Sequence, residues 1–268
     1  MPPKLGIIAG RGELPRRIVE AAQAAGREFF VIAFNGETDP ATVADGAEHA
    51  WVDLPTVGRT IKLLQQAGVS ELVLIGPVGR PNFSKLKPDW HGAKLLPKII
   101  RAAGQGDDAI MKVVVEDLEN QGFTILGAET VLATLSAPTG SFGHKEPDAG
   151  DRTDIERGMA VVAQLGQLDI GQAVVVRAGY VLAVEAAEGQ FRGEVAAGVL
   201  VKRPKPGQER RVDLPTIGVP TVEGAAAAGL KGIAVEAGGA LVTDRTAVAQ
   251  AADAAGIFVC GVAVEDGS

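Results

Sequence analysis

Side chains able to do chemistry gather most densely at 202–218, Lys-Arg-Pro-Lys-Pro-Gly-Gln-Glu-Arg-Arg-Val-Asp-Leu-Pro-Thr-Ile-Gly. Residues 202–211 hold five basic side chains, Lys202, Arg203, Lys205, Arg210 and Arg211, against the acid Glu209, in a chain whose formal net charge is −7. Crowded cations repel one another, and an anionic ligand such as a diphosphate relieves that repulsion. Arg211 and Asp213 stand two apart, so an extended segment turns both to one side. Arginine in that position holds phosphate charge while aspartate binds Mg2+ or orients water, and Lys202 adds a cation against charge developing in the transition state. Gln208 and Thr216, on either side of the pair, are candidates for substrate contact. A solvated basic loop in which Asp213 caps a turn is the alternative.

The second place is Ala9-Gly10-Arg11-Gly12-Glu13-Leu14-Pro15. A Gly-x-Gly turn leaving a buried strand and entering a helix aims backbone N–H groups outward from the positive end of the helix dipole. Glycine lets the backbone approach a phosphate, and Arg11 adds charge. Gly10, Arg11, Gly12 and Leu14 are therefore substrate-binding candidates. The turn departs from the dinucleotide fingerprint, since Pro15 replaces the third glycine and Phe34 and Asn35 stand where a ribose-binding acid belongs. Arg80, in Gly76-Pro77-Val78-Gly79-Arg80-Pro81 at the end of an apolar run, is a further anion contact or an ordinary surface residue.

Other signals are weaker. His49, His91 and His144 lack the i, i+4 spacing of a metal pair, and only His144, near Lys145 and Asp148, merits testing. Asp107 precedes a helical pattern and reads as an N-cap rather than a metal ligand. No Gly-x-Ser-x-Gly elbow occurs, and Cys260 lies in an apolar run as a small core residue. Residues 83–101 mix Lys85, Lys87, Lys94, Lys98 and Arg101 with Trp90 and several leucines and isoleucines. That composition suits a surface touching anionic membrane, although an amphipathic helix packed on a sheet is the simpler reading.

These residues need elements to hold them. Apolar runs at 4–9, 28–34, 50–54, 71–75 and 122–126 read as strands, separated by helical patterns at 15–25, 56–66, 93–103 and 107–120. The alternation predicts an α/β protein, with an N-terminal Rossmann-like parallel sheet covered by helices on both faces. The turn formers of 136–150 predict a linker or active-site loop. Beyond it a helix at 153–165 with an acidic cap in 151–154 is expected, then a hairpin of strands at 172–177 and 180–186. Strands at 198–202, 232–236 and 257–264, with helices at 221–228 and 245–254, complete a C-terminal α/β domain with a mixed sheet. The expected division is 1–135, 136–150 and 151–268, the last catalytic. With 268 residues, 46% hydrophobic and 22% charged, the chain can build real cores. Its acidity argues against nucleic acid, its one cysteine against a disulfide framework, and its short apolar runs against a membrane span or signal segment. A cytoplasmic protein is expected.

Six runs in order carry a resemblance. They are Lys4-Leu-Gly-Ile-Ile-Ala-Gly-Arg-Gly-Glu-Leu-Pro15, Val78-Gly-Arg-Pro81, Gly106-Asp-Asp108, Leu168-Asp-Ile-Gly-Gln-Ala-Val-Val-Val176, Val184-Glu-Ala-Ala-Glu-Gly189 and Gln208-Glu-Arg-Arg-Val-Asp-Leu-Pro215. Nearly the whole chain resembles the UDP-2,3-diacylglucosamine pyrophosphatases of lipid A biosynthesis that are unrelated to calcineurin-like phosphoesterases. The resemblance implies Mg2+-dependent hydrolysis of that UDP-linked diacyl lipid to UMP and 2,3-diacylglucosamine 1-phosphate, with two domains around the lipid. It makes Asp213 the catalytic carboxylate. It also implies transient contact with the cytoplasmic face of the inner membrane and leaves a homodimer open. Gly189 is followed by Gln190 and Phe191, so no acidic role is carried to that position. Two other classes fit the residues alone: a nicotinamide-dependent oxidoreductase, and a non-catalytic regulator binding a nucleotide sugar or lipid.

Overall fold

The structure, a computed structural model, describes residues 2–44, 46–54, 56–79, 88–104, 106–185 and 196–264. Their contacts form two compact units, Met1–Ala133 with Arg211–Asp213, and Thr134–Arg210 with Leu214–Ser268.

In the first unit the chain runs through β1 (Leu5–Ala9), α1 (Leu14–Ala24), β2 (Phe29–Phe34), β3 (His49–Val52), α2 (Val57–Gln66), β4 (Glu71–Ile75), α3 (Trp90–Ala103), α4 (Asp107–Asn120), β5 (Thr124–Leu126) and the single turn α5 (Ala128–Val131). Strands as apolar as Leu-Gly-Ile-Ile-Ala and Phe-Phe-Val-Ile-Ala-Phe must be covered on both faces, which parallel sheets achieve with crossover helices. All five strands are indeed parallel, in the order β3-β2-β1-β4-β5. Alternate side chains divide between the faces. Phe30, Ile32 and Phe34 join Ile61 and Leu64 of α2 and Val115 and Leu118 of α4 in one core. Val31 and Ala33 between them are buried on the face where α1 packs over β1. Strand order reverses between β1 and β4, so the crevice at their carboxyl ends is where this topology places ligands.

The second unit continues with β6 (Gly140–Ser141), α6 (Ala149–Gln167), β7 (Ala173–Arg177), β8 (Tyr180–Val184), β9 (Val199–Lys202), β10 (Thr216–Ile217), α7 (Val219–Ala227), β11 (Gly232–Glu236), β12 (Leu241–Val242), α8 (Arg245–Ala255) and β13 (Phe258–Val262). Its main sheet, ordered β6-β13-β11-β9-β7-β8, is mixed: β9, β11 and β13 are parallel, while β6, β7 and β8 are antiparallel to their neighbours. The turn-rich stretch 136–150 supplies β6 and the start of α6. Cys260 is buried with Ile155, Met159 and Val201. Among the described residues no helix is long and apolar enough to cross a membrane.

Two caps differ from the sequence expectation. Helix α6 begins at Ala149, capped by Asp148, whose side chain accepts the Asp151 N–H at 2.8 Å while the Asp151 carboxylate accepts the Asp148 N–H at 3.1 Å. This reciprocal box satisfies two helix-end donors and outcompetes a start four residues on. Asp154 is thereby released to accept the N–H groups of Ala178 and Gly179, at 2.9 and 2.7 Å, tying down the β7–β8 hairpin. At α4 the N-cap is Gly106, and Asp107 is the first helical residue. Pro97 does not interrupt α3.

Candidate functional site

The glycine turn leaves the carboxyl end of β1 and packs against the loop leaving β4. The Gly10 N–H donates to the Ile75 carbonyl and the Arg11 N–H to the Pro77 carbonyl, each at 2.8 Å. These two amides are spent on the neighbouring loop. Those of Gly12, Glu13 and Leu14 have no partner among the described residues, and they lead into the first turn of α1, which Leu14 opens and where the helix dipole is positive. The Leu14 side chain itself is buried in the core, so only its backbone faces the turn. Arg11 does not stand free: its guanidinium lies 2.9 Å from Glu37, which also accepts the Gly79 N–H at 2.8 Å. Thr38 closes the base of the crevice, donating to the Ala9 carbonyl at 2.5 Å and accepting the Phe34 N–H at 2.8 Å. Arg80 lies outside the described residues.

The basic run is more heavily neutralised than its sequence suggests. Glu236, at the buried carboxyl end of β11, faces two guanidiniums, Arg203 at 3.0 Å and Arg210 at 2.9 Å. Lys205 pairs with Asp169 at 2.5 Å, and its N–H donates to the side chain of buried Gln208 at 2.7 Å. Arg211 pairs with Glu119 at 2.6 Å. Carboxylates from distant parts of the sequence thus relieve the repulsion that an anionic ligand was expected to relieve. Lys202, half-buried at the end of β9, makes no ion pair among the described residues. Thr216 lies on β10 with its hydroxyl 3.2 Å from the Leu214 carbonyl.

Arg211–Asp213 belongs to the first unit. Val212 packs against the core of α2 and α4, with half-buried Arg211 and Asp213 on either side. Glu119, the partner of Arg211, sits in the last turn of α4, shortly before the chain enters β5 at the amino edge of the sheet. The glycine turn leaves the opposite, carboxyl edge. Within the first unit the two candidate regions are therefore separated rather than joined, while Lys202, Gln208 and Thr216 belong to the second unit. Among the described residues there is no group of three or more His, Cys, Asp or Glu able to hold a metal ion. Glu37, Glu119, Asp169 and Glu236 escaped the sequence reading. Their only local signal is Glu236, an acid closing an otherwise apolar strand.

A parallel α/β sheet with a glycine turn at its carboxyl edge, followed by a mixed-sheet unit, defines a two-part α/β protein. The model of the LpxI N-terminal domain matches residues 4–135, and that of the LpxI C-terminal domain residues 138–260. The chain is 44% identical over 274 aligned residues to the UDP-2,3-diacylglucosamine pyrophosphatase LpxI of Caulobacter vibrioides, covering 97% of each protein. It belongs to the LpxI family.

Proposed function

We propose that this protein hydrolyses the diphosphate of UDP-2,3-diacylglucosamine, a step of lipid A biosynthesis. The observation carrying the proposal is the end-to-end match to a relative named for that activity. A match spanning both units favours this over an oxidoreductase or a regulator built on one of them. Water adds to one phosphorus and the bridging P–O bond breaks, giving UMP and 2,3-diacylglucosamine 1-phosphate; the two water protons pass one to each new phosphate monoester, which lose them near neutral pH where their second ionisation is about 6. We place the attack on the β-phosphorus, so that oxygen from labelled water appears in the lipid product.

Asp213 is the residue we assign to catalysis, with Arg211 and Lys202 steadying negative charge on the diphosphate. Amides after the glycine turn, with Arg11, lie at the other edge of the sheet and are assigned to binding a part of the substrate away from Asp213. Mg2+ is compatible with this donor set, because that ion is commonly held by one or two carboxylates with substrate phosphates and water rather than by a cage of protein ligands. Asp213 would hold it, and the ion when bound would draw charge from the phosphoryl oxygens. The protein is read as working on a membrane-derived substrate from the cytoplasmic side.

The test is UMP release from the lipid substrate by wild type and by Asp213→Ala, with Mg2+ and with chelator. Wild type is expected to turn over only with the metal. Asp213→Ala should lose at least about a thousandfold in rate while still binding substrate. Near-normal turnover by the variant removes the assignment of Asp213, and no UMP from wild type removes the reaction.

A further inference from the structure

We infer that the outer surface formed by α2 and α3 docks this protein on an anionic lipid bilayer. At the start of α3 the Trp90 indole is 79% exposed, and the Lys94 ammonium rests 5.1 Å from its ring centroid. Farther along the same helix Pro97, Lys98, Ile100 and Arg101 are exposed. The sequence of α3, Trp-His-Gly-Ala-Lys-Leu-Leu-Pro-Lys-Ile-Ile-Arg-Ala-Ala, contains no carboxylate. Helix α2 packs against it, contains none either, and adds exposed Arg59 and Lys62.

Among the described residues most nearby acids already have partners, and Glu116 on α4 is the exposed exception. Asp89 caps α3 through the Gly92 N–H at 2.8 Å and accepts the Arg59 N–H at 2.9 Å, joining the starts of the two helices. On α4, the other neighbour of α3, Asp108 pairs with Lys112 and Glu119 with Arg211, while Asp117 lies in hydrogen-bond contact with the His91 ring at 2.8 Å. Lys98 and Arg101 make no ion pair among the described residues. A chain of net charge −7 is repelled as a whole by an anionic membrane, so a local basic face determines which side can approach. Lysine and arginine alone would fit any polyanion. An exposed indole at the start of α3, with exposed Pro97 and Ile100 farther along it, adds the amphipathic chemistry of the bilayer interface, where aromatic rings insert at headgroup depth and long cationic stems lie along apolar surface.

Docking stands without the catalytic reading; its effect on turnover rests on that reading. The full-length protein is mixed with substrate-free vesicles of phosphatidylcholine alone or with phosphatidylglycerol, at low and high salt, and binding is read by sedimentation. Wild type should bind only the anionic vesicles, release in high salt, and shift its tryptophan emission to the blue on binding. Each cation near the surface contributes roughly fivefold to affinity, so the triple variant Lys94→Gln, Lys98→Gln, Arg101→Gln should bind on the order of a hundredfold more weakly. Trp90→Ala should abolish the blue shift and weaken binding. Both variants should match wild type on detergent-dispersed substrate and fall behind it on vesicle-embedded substrate. Equal binding to both vesicle types, no binding, or wild-type binding by the triple variant overturns the inference. So does a blue shift that follows protein concentration without lipid, since a second copy then covers the face. If wild type binds anionic vesicles but releases no UMP from either substrate form, docking survives and the catalytic reading falls.

Discussion

A Cβ placed on Gly10 would run into the carbonyl of Gly76, whereas one placed on Gly12 would meet nothing, and glycine is favoured there by its φ of 88° instead. The first position is closed by packing, the second only by backbone conformation. Gly10→Ala is therefore expected to destabilise by about 3 kcal/mol, the upper range for overpacking, and Gly12→Ala by about 1 kcal/mol. Urea unfolding monitored by tryptophan emission checks both, and equal costs would contradict the argument. Cys260 shows what burial does to a single side chain. It pushes the thiol up to about 11, with the charge of Arg152 acting in the opposite direction. A raised folded value means the contribution to stability is whole below the ordinary value of 9.0 and is lost as pH climbs through 11. A thiol reagent should leave Cys260 untouched in the native protein near neutral pH and label it in step with unfolding.

Across elements, the carboxylate ending β11 restrains the loop that follows β9. Glu236 is the partner of both Arg203 and Arg210, and the Cβ that any other residue would carry at 239 would collide with it. Glu236→Gln keeps the shape but removes the charge, leaving two guanidiniums facing a neutral amide. A loss of about 3 kcal/mol is expected, since removing one partner of a buried pair strands the other. Thermal melting measures it, and an unchanged midpoint would show that the loop is held by something else. The α6 cap makes a pH prediction. The Asp151 N–H, then Lys231, hold Asp148 below the ordinary 3.8, and hydrogen bonds from the His144 N–H and ring do the same for Asp253. Groups with depressed values stabilise above 3.8, and the contribution is lost as pH falls through the lower folded value. Asp148→Asn should flatten the acid limb of the stability curve below about pH 4 and leave the neutral region nearly parallel to wild type.

At the scale of the molecule, Arg211–Asp213 is read late in the chain yet belongs to the first unit. Val212 contacts the core beneath α2 and α4, and Arg211 pairs with Glu119. Trp51 and Trp90 are the two tryptophans of the chain, and both lie in the first unit, so their emission reports on that unit. Val212→Asp places a charge against that core and should lower the stability seen by tryptophan emission by about 2 kcal/mol, although it lies far from either indole in sequence. No shift would mean that the segment contributes nothing to the unit it joins.

Periodicity and punctuation determined the class of both sheets, because a strand apolar on both faces and a helix ended by glycine are local facts. Strands at 71–75 and 232–236 and the helix at 107–120 coincide with β4, β11 and α4. The glycine turn was equally legible, its loop chemistry being written in adjacent residues. Tertiary structure alone decided which amides of that turn were already taken, and that Glu236, Asp169 and Glu119 neutralise the basic run. It also decided that Asp213 belongs to the first unit. A cation is visible in sequence, but the carboxylate that pairs with it is brought there by strand order and helix packing, and no local pattern encodes which distant acid that will be.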